Sequence, residues 1–267
     1  MRCFKATLEY DGTDFAGFQL QTNLRTVQGA CEEAIEKLVG VPIRVHGAGR
    51  TDAGVHALGQ VIGFRAETNI SLAQMPVAMN SQLPRDLSIK SVEEVDERFH
   101  ARFSAKSRAY VYIVLRQPVR SALFRRYTYW CSNDLNVDDM RFAADSLIGS
   151  KDFTSFANSL SETATAIRNM KFIRVREHGP FLIFSVEANA FLRGMVRNLV
   201  GTLLEVGKGR LSPEEMHRII DAKDRQSAGP SAPPEGLTLV RVRYNSVTTN
   251  VQMDEESPTG LSSDDIE

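Results

Sequence analysis

Two hydrophobic periodicities alternate along this chain, and their alternation restricts the folds that it can adopt. Apolar residues occupy every second position from Phe4 to Tyr10, which indicates a strand with one buried face. From Thr26 to Leu38 the apolar residues instead recur at helical spacing, and Thr26 and Gly40 are typical cap residues for the two ends. We therefore expect strands and helices to mix from the start of the chain.

Later segments continue the same mixture. Strands are predicted over residues 41–45, 61–64, 110–115, 171–176, 181–187 and 237–244. Helices are predicted over residues 136–148, over 192–204 with a stop at Gly207, and over 212–221, which opens on a capping box. Because several strands follow one another directly, the pattern favours an α+β protein with a largely antiparallel mixed sheet flanked by helices.

The 267 residues suffice for one large domain or for two modest halves that share a core. We divide the chain into an N-terminal half, residues 1–105, and a C-terminal half, residues 106–244. Residues 245–267 hold six acidic residues and no Lys or Arg, so we expect a disordered acidic tail. Without this tail the formal net charge rises from −1 to +5, and the overall charge therefore does not exclude a nucleic-acid partner.

Cysteine and histidine usage gives no support for a disulfide framework or a metal site. Cys3, Cys31 and Cys131 form no C-x-x-C pair, and the five histidines lack metal-ligand spacing. No segment approaches the roughly 20 apolar residues that a membrane helix needs, and the N-terminal sequence lacks a signal-peptide pattern. We expect a cytoplasmic protein without a metal and without a membrane anchor.

Residues 47–54 are the segment richest in chemically active and turn-forming side chains, and we call them the aspartate loop. Three glycines permit a sharp turn, and Arg50 and Asp52 place two opposite charges beside it. The simpler interpretation is a glycine-rich turn with a solvated ion pair. The other interpretation is a catalytic carboxylate.

Two nucleotide-binding motifs almost fit and are rejected. A dinucleotide fingerprint would start at Gly47, but Asp52 stands at the position of its third glycine, where a carboxylate would repel a pyrophosphate. A P-loop over residues 201–209 would have one residue too many, and Gly209 replaces the Ser or Thr that binds Mg²⁺. We therefore expect no nucleotide cofactor.

Several segments resemble, in the same order, those typical of the tRNA pseudouridine synthase A family. The central one is Arg50-Thr51-Asp52-Ala53-Gly54-Val55-His56. The others are Tyr10-Asp11-Gly12-Thr13, Thr26-Val27-Gln28-Gly29, Phe99-His100-Ala101-Arg102-Phe103-Ser104-Ala105, Arg108-Ala109-Tyr110-Val111-Tyr112, Asp152-Phe153-Thr154-Ser155-Phe156, Met195-Val196-Arg197-Asn198 and Gly236-Leu237. The resemblance covers roughly residues 4 to 244 and implies a pseudouridine-synthase-like fold, with two similar halves sharing a central cleft.

The resemblance also implies an activity. The family isomerises uridine to pseudouridine at positions 38, 39 and 40 of the tRNA anticodon stem-loop, as a homodimer. Atoms are conserved in this reaction, so no cofactor is required, and the varied targets imply recognition of tRNA shape. One departure is Phe18, which stands where the family usually has Trp and leaves open whether this ring packs or stacks.

Asp52 matches the catalytic carboxylate of the family, as nucleophile or base. Attack at C1′, addition at C6 and deprotonation at C2′ all remain open. The carboxyl group of a free Asp has a pKa near ~3.9, but burial can raise this value by up to ~3–5 units, so a nearby cation is needed to keep the group ionised. By resemblance that cation is Arg197. The alternative for Arg197 is the polar edge of a buried helix, shared with Arg193.

Two apolar residues are implied to hold the target base. Tyr110 matches the ring that stacks on the uracil and helps to remove the C5 proton, although a strand tyrosine more often packs in a core. Leu237 would close the opposite side of the pocket, because a flat base needs an apolar face on each side.

A uridine in a stem must be extruded before it can react, and Arg50 matches the residue that fills the vacated space. The other residues predicted to bind RNA are His100, Arg102, Lys106 and Arg108. Weaker candidates for phosphate contacts are Arg44, Arg120, Arg125, Arg126, Lys208 and Arg210. Each of these charges could also be a solvated surface residue.

Two other functions stay open from the sequence. The first is an RNA-binding module without catalysis, which the joint presence of Asp52, Tyr110 and Arg197 argues against. The second is a metal-free hydrolase with Asp52 as nucleophile, which would release a free base or phosphate.

Overall fold

The computed structural model describes residues 1–160 and 164–245, so the predicted acidic tail lies outside the described residues except for Asn245. The strands are β1 Arg2–Tyr10, β2 His46–Gly47, β3 His56–Ala66, β4 Leu87–Glu94, β5 Ser107–Arg116, β6 Tyr129–Cys131, β7 Gly149–Asp152, β8 Ile167–His178, β9 Phe181–Ala188 and β10 Leu237–Arg243. The helices are α1 Val27–Val39, α2 Met75–Gln82, α3 Val137–Asp145, α4 Met195–Gly207 and α5 Glu215–Ala222.

The described strands form one mixed sheet with the order β4-β1-β3-β10-β5-β9-β8-β7. Strand β2 pairs with β3, and β6 pairs with β5. Among these pairs only β10–β3 and β5–β6 are parallel, so the prediction of an α+β protein with a largely antiparallel mixed sheet is confirmed.

Strand β10 joins the two halves of the sheet. It pairs with β3 through Thr238 and Leu239, and with β5 along its length. One continuous cluster of buried side chains extends from the strands and helices of the first half into those of the second. The division at residue 105 therefore stays a prediction about the sequence, since the sheet itself has no break there.

Helix α1 forms as its sequence predicts. Oγ1 of Thr26 accepts a hydrogen bond from the amide of Gly29 at 3.2 Å. Gly40 ends the helix with φ of 78°, in the left-handed region that favours glycine. The apolar stripe of the helix packs into the core through Val27, Cys31 and Ile35.

The predicted elements are wrong in several places. The described structure has no strand over 41–45, because the backbone of Val45 pairs with side chains of α1: its amide donates to Glu32 at 3.0 Å and its carbonyl accepts from Gln28 at 3.3 Å. Helix α4 begins at Met195 rather than at residue 192, since Gly194 precedes it with φ of 73°. Helix α5 begins at Glu215 and ends at Ala222, whereas the sequence predicted a helix over residues 212–221.

The capping box before α5 is half formed. A carboxylate oxygen of Glu215 accepts from the amide of Ser212 at 2.6 Å, which is the return bond of the motif. No side chain caps the helix at Glu214, the residue before its first turn. The capping box therefore stabilises the turn that precedes α5 and does not cap the first turn of the helix.

Helix α4 packs unusually close to residues 228–236, which lead into β10. A Cβ atom at Gly201 would lie 1.8 Å from the carbonyl oxygen of Pro230, and one at Gly229 would lie 2.8 Å from Cα of Thr202. Glycine is thus required at both positions for the backbones to approach. This close contact holds residues 228–236, which lead into β10, against the helix that carries Arg197.

No helix among the described residues is long and apolar enough to cross a membrane.

Candidate active site

The aspartate loop lies over the centre of the sheet and is fastened by buried hydrogen bonds. The hydroxyls of Thr51 and Tyr10 lie 2.8 Å apart, and Gln60 donates to the carbonyl of Gly49 at 2.8 Å. All three polar side chains are buried. Because these bonds flank Asp52 on its N-terminal side, they hold its backbone in one position.

Phe18 supports the same loop from beneath. The side chain is buried, and a Cβ atom at Gly47 would lie 2.4 Å from its ring. The amide of Phe18 donates to the carbonyl of Thr51 at 3.0 Å. The ring that replaces the family Trp therefore packs against the loop, which answers the question that the sequence left open.

The C-terminal end of the loop is held by His56 and the turn after β1. Nδ1 of the buried His56 accepts from the amide of Gly12 at 2.9 Å and lies 3.3 Å from a carboxylate oxygen of Asp11. A Cβ atom at Gly12 would lie 2.0 Å from the carbonyl oxygen of Val55, so only glycine fits there. Both motifs were recognised in the sequence, but nothing in it predicted their contact.

Asp52 of the aspartate loop forms an ion pair with Arg197 of α4. Nη1 of Arg197 donates to Oδ2 of Asp52 at 3.2 Å, with side chains 19% and 30% exposed. Nε of the same guanidinium donates to the carbonyl of Ala232 at 2.7 Å. The structure thus brings together the two charges that the sequence placed 145 residues apart, and leaves the carboxylate partly accessible.

A polar network behind Arg197 holds this arrangement, and sequence reasoning missed it. The side-chain oxygen of the buried Asn198 accepts from Arg225 at 3.0 Å and from the hydroxyl of Ser231. Its amide group donates to Asn158 at 2.9 Å. Because Asn198 directly follows Arg197, these bonds tie the first turn of α4 to the segment whose carbonyl orients the guanidinium. In the sequence, the motif Met195–Asn198 was the only indication that Asn198 has a role.

Tyr110 lies in β5, in the middle of the sheet and below the aspartate loop. It is opposite Leu239 of β10, its ring meets Phe191 edge-on at 5.1 Å, and its hydroxyl would lie 3.9 Å from a Cβ atom at Gly49. Burial raises the pKa of Tyr110 well above its usual range, and the negative charge of Asp52 acts in the same direction. The hydroxyl is therefore protonated at neutral pH. Its predicted role stays a prediction.

Leu237 is the buried first residue of β10 and lies opposite Tyr112 in β5. The residues before it approach the aspartate loop, since a Cβ atom at Gly54 would lie 3.0 Å from Pro234. The structure thus places Leu237 on the strand next to Tyr110, on the side of residues 228–236. Its contact with a base stays a prediction.

Arg108 has a different environment from the one that a phosphate contact requires. Its guanidinium is buried and donates to the backbone carbonyls of Ala48, Asn189 and Arg102, the first two at 2.8 and 2.9 Å. Burial lowers the pKa of Arg108. These bonds favour a role in positioning the aspartate loop, and the predicted contact with RNA stays untested.

The other predicted RNA-binding residues lie at the surface. Arg50, Arg102 and Lys106 are exposed, and His100 is half-buried. Of the weaker candidates, four have a carboxylate partner: Arg44 with Glu32, Arg126 with Asp11, and Lys208 and Arg210 with Glu205. Exposed Arg120 and Arg125 belong to the loop between β5 and β6. Among the described residues, no group of His, Cys, Asp and Glu could hold a metal ion.

A sequence model of the family described as tRNA pseudouridine synthase matches residues 6–104 and 143–245. Proteins named tRNA pseudouridine synthase A from Thermoanaerobacter sp. (strain X514) and Geobacillus kaustophilus (strain HTA426) are 41% and 44% identical to this chain. The alignments cover 91% and 90% of this chain and 100% and 93% of the two relatives. A solved Cbf5-Nop10-Gar1 complex aligns with 88% of this chain and 57% of that chain, at 12% identity and a TM-score of 0.32, too low a similarity to support an argument.

This chain belongs to the tRNA pseudouridine synthase family. The resemblance noted in its sequence is thereby confirmed, and so is a pseudouridine-synthase-like fold. The family model matches in two segments, which is consistent with two halves, one carrying Asp52 and the other Arg197.

Proposed function

We propose that this protein isomerises uridine to pseudouridine at positions 38, 39 and 40 of the tRNA anticodon stem-loop, with Asp52 as nucleophile or base. The ion pair between Asp52 and Arg197 is the observation that carries the proposal. It gives a partly accessible carboxylate a fixed cation, and the hydroxyl of Tyr110 lies near Gly49 of the same loop. A site with this composition suits a reaction that needs one carboxylate.

The chemistry conserves atoms. The N1–C1′ bond of uridine breaks, the base turns, and C5 bonds to C1′; C5 then loses its proton, and N1 gains one. Asp52 attacks or deprotonates the nucleoside, while the guanidinium of Arg197 balances the charge of the carboxylate. Tyr110 and Leu237 hold the two faces of the uracil, and the Tyr110 hydroxyl helps to transfer the C5 proton.

The target uridine reaches Asp52 by leaving its stem, at a cost of about a few kcal/mol. Arg50 is exposed in the aspartate loop and occupies the space that the base vacates. Arg102 and Lys106 contact phosphates, so the affinity depends on shape and charge more than on base identity. A tRNA substrate places the reaction in the cytoplasm.

The direct test is release of tritium from C5-labelled uridine in unmodified tRNA, followed by mapping of the modified positions. Tritium release with pseudouridine at positions 38–40 is expected. Release of free uracil or phosphate would identify a hydrolase instead, and tight binding without tritium release would identify a binding module. The same positions should lack pseudouridine in tRNA from a strain without this protein.

Replacing Tyr110 by Phe should separate stacking from proton transfer. The ring is kept, so tRNA affinity should stay within a few-fold, whereas the rate at saturating tRNA should fall by about 10²-fold or more, the size typical of a lost proton-transfer group. Single-turnover tritium release measures this rate. The half-buried Tyr129 of β6 provides a matched control, because Tyr129→Phe removes a hydroxyl outside the cleft. An unchanged rate in Tyr110→Phe would remove the hydroxyl from the chemistry.

We further propose that the protein works as a homodimer. The loop between β5 and β6 exposes three apolar residues, Val119, Leu123 and Phe124, of which Leu123 is 85% exposed. An apolar group of this kind is typical of a surface that a second copy covers. Sedimentation should therefore give twice the chain mass for the wild type and a lower mass for Leu123→Asp. Val77→Asp, at an exposed position of α2, should not change the mass. A monomeric wild type would contradict the proposal.

A further inference from the structure

The loop before β5 presents one aromatic side chain to solvent. Phe103 is 75% exposed, between the half-buried His100 and the exposed Lys106. A single exposed apolar residue is ordinary on a protein surface and needs no explanation alone. Phe103 differs from such residues because hydrogen bonds hold the backbone around it.

The backbone around Phe103 is held by several hydrogen bonds. Nδ1 of His100 accepts from the amides of Arg102 and Phe103, at 3.1 and 3.4 Å. The hydroxyl of Ser104 accepts from the amide of His100 at 3.1 Å, and the amide of Ser104 donates back to the His100 carbonyl at 2.9 Å. The ring is therefore presented in a fixed place, and a ligand that stacks on it loses little loop entropy.

Phe103 is the outer member of a row of three rings. Its centroid lies 4.4 Å from that of His100, which lies 5.2 Å from that of His46 in β2. Burial and the neighbouring His46 lower the pKa of His100, so this ring is uncharged at neutral pH. The row thus ends at the strand that leads into the aspartate loop, and its middle ring supports Phe103 without adding charge.

Several cationic side chains lie near this row of rings. The guanidinium of Arg102 lies 5.7 Å from the Phe103 centroid, and Lys106 is exposed nearby. An open groove beside the row is lined by Arg44, Arg65 and the two histidines; Arg44 also contacts Glu32 at 3.4 Å. A flat apolar ring among cations matches a nucleobase followed by phosphates, because the base stacks while the backbone is neutralised.

Arg108 connects the loop that carries Phe103 to the aspartate loop. Its guanidinium donates both to the carbonyl of Arg102, next to Phe103, and to the carbonyl of Ala48, four residues before Asp52. The two loops therefore share one rigid attachment. A nucleotide on Phe103 would belong to the same RNA as the uridine at Asp52.

We propose that Phe103 is a stacking platform for an unpaired base of the RNA substrate that carries the target uridine. The inference rests on the proposed function for its ligand and adds a contact that specifies no base, since every base has a π-face. It also gives His100 a definite task, which is to support the Phe103 ring rather than to bind a phosphate.

The test measures binding of unmodified tRNA to the full chain, with Phe103 replaced by Ala, Leu or Trp. Phe103→Ala and Phe103→Leu should both raise Kd by about 5- to 100-fold, while Phe103→Trp should retain the affinity. The salt dependence of Kd should keep its slope in all three variants, because no phosphate contact is removed. In Arg102→Ala the slope should fall by about 1. Phe142→Ala, at an exposed aromatic position of α3, is the matched control and should bind like the wild type.

Two results would overturn the proposal. If Phe103→Leu bound tRNA as tightly as the wild type, an apolar side chain would suffice and stacking would be excluded. If Phe103→Ala lowered the sedimenting mass, the ring would belong to a contact between subunits. Failure of the proposed function is a separate outcome: the wild type would release no tritium from tRNA, whatever Kd the Phe103 variants showed.

Discussion

Asp52→Asn is expected to fold normally and bind tRNA within several-fold of the wild type, while pseudouridine formation falls by at least about 10³-fold. The amide has the shape of the carboxylate but cannot carry its charge, so it can neither attack the ribose nor accept a proton as a base. The loop keeps its hydrogen bonds between Thr51 and Tyr10 and between Gln60 and Gly49, because neither bond involves the Asp52 side chain. Single-turnover tritium release and a binding isotherm measure the two effects separately.

The matched control is Asp14→Asn, which makes the same change of charge at an exposed position after β1. It should leave the rate unchanged. Substantial activity in Asp52→Asn would be fatal to the assigned role, and a large loss of affinity would mean that the side chain contributes to binding instead of chemistry.

Arg197→Ala should lower the rate at saturating tRNA by about 10²-fold or more and should also destabilise the fold. The substitution removes the cation 3.2 Å from the carboxylate and leaves the carbonyl of Ala232 without its donor. The lost bond should also lower the free energy of unfolding by about 1–3 kcal/mol. Urea unfolding therefore accompanies the rate measurement, so that loss of fold is not mistaken for loss of catalysis.

Arg197→Lys tests the geometry of the pair. One ammonium group cannot reproduce the fork that contacts Asp52 and Ala232 together, so activity should recover only in part. Arg193→Ala is the control, since it removes an exposed arginine just before α4. Normal activity in Arg197→Ala would show that Asp52 works without this partner.

Local patterns in the sequence predicted much of the fold. The alternation in β1, the Thr26 and Gly40 caps of α1 and the apolar run of β5 are all present where the sequence places them. The prediction failed where distant groups compete for the backbone. Val45 has strand-like neighbours, but Glu32 and Gln28 of α1 take its hydrogen bonds.

The candidate site divides in the same way. Its carboxylate, arginine and tyrosine could be named because the short motifs that carry them resemble those of the family. Their supports could not be named. The hydrogen bonds from Arg225 to Asn198 and from Gly12 to His56 join positions far apart in sequence, and short motifs do not show which distant positions meet. The burial of Arg108 was missed for the same reason.

The position of β10 has a consequence for how the molecule is made. Residues 237–243 form β10, which lies between β3 and β5. In the described sheet, the strands on the β3 side and those on the β5 side are therefore joined only after β10 has paired with both. During translation those residues leave the ribosome after both halves, which can collapse separately but expose unpaired edges meanwhile. Activity should therefore appear abruptly, once residues 237–243 have left the ribosome, and not grow gradually with chain length.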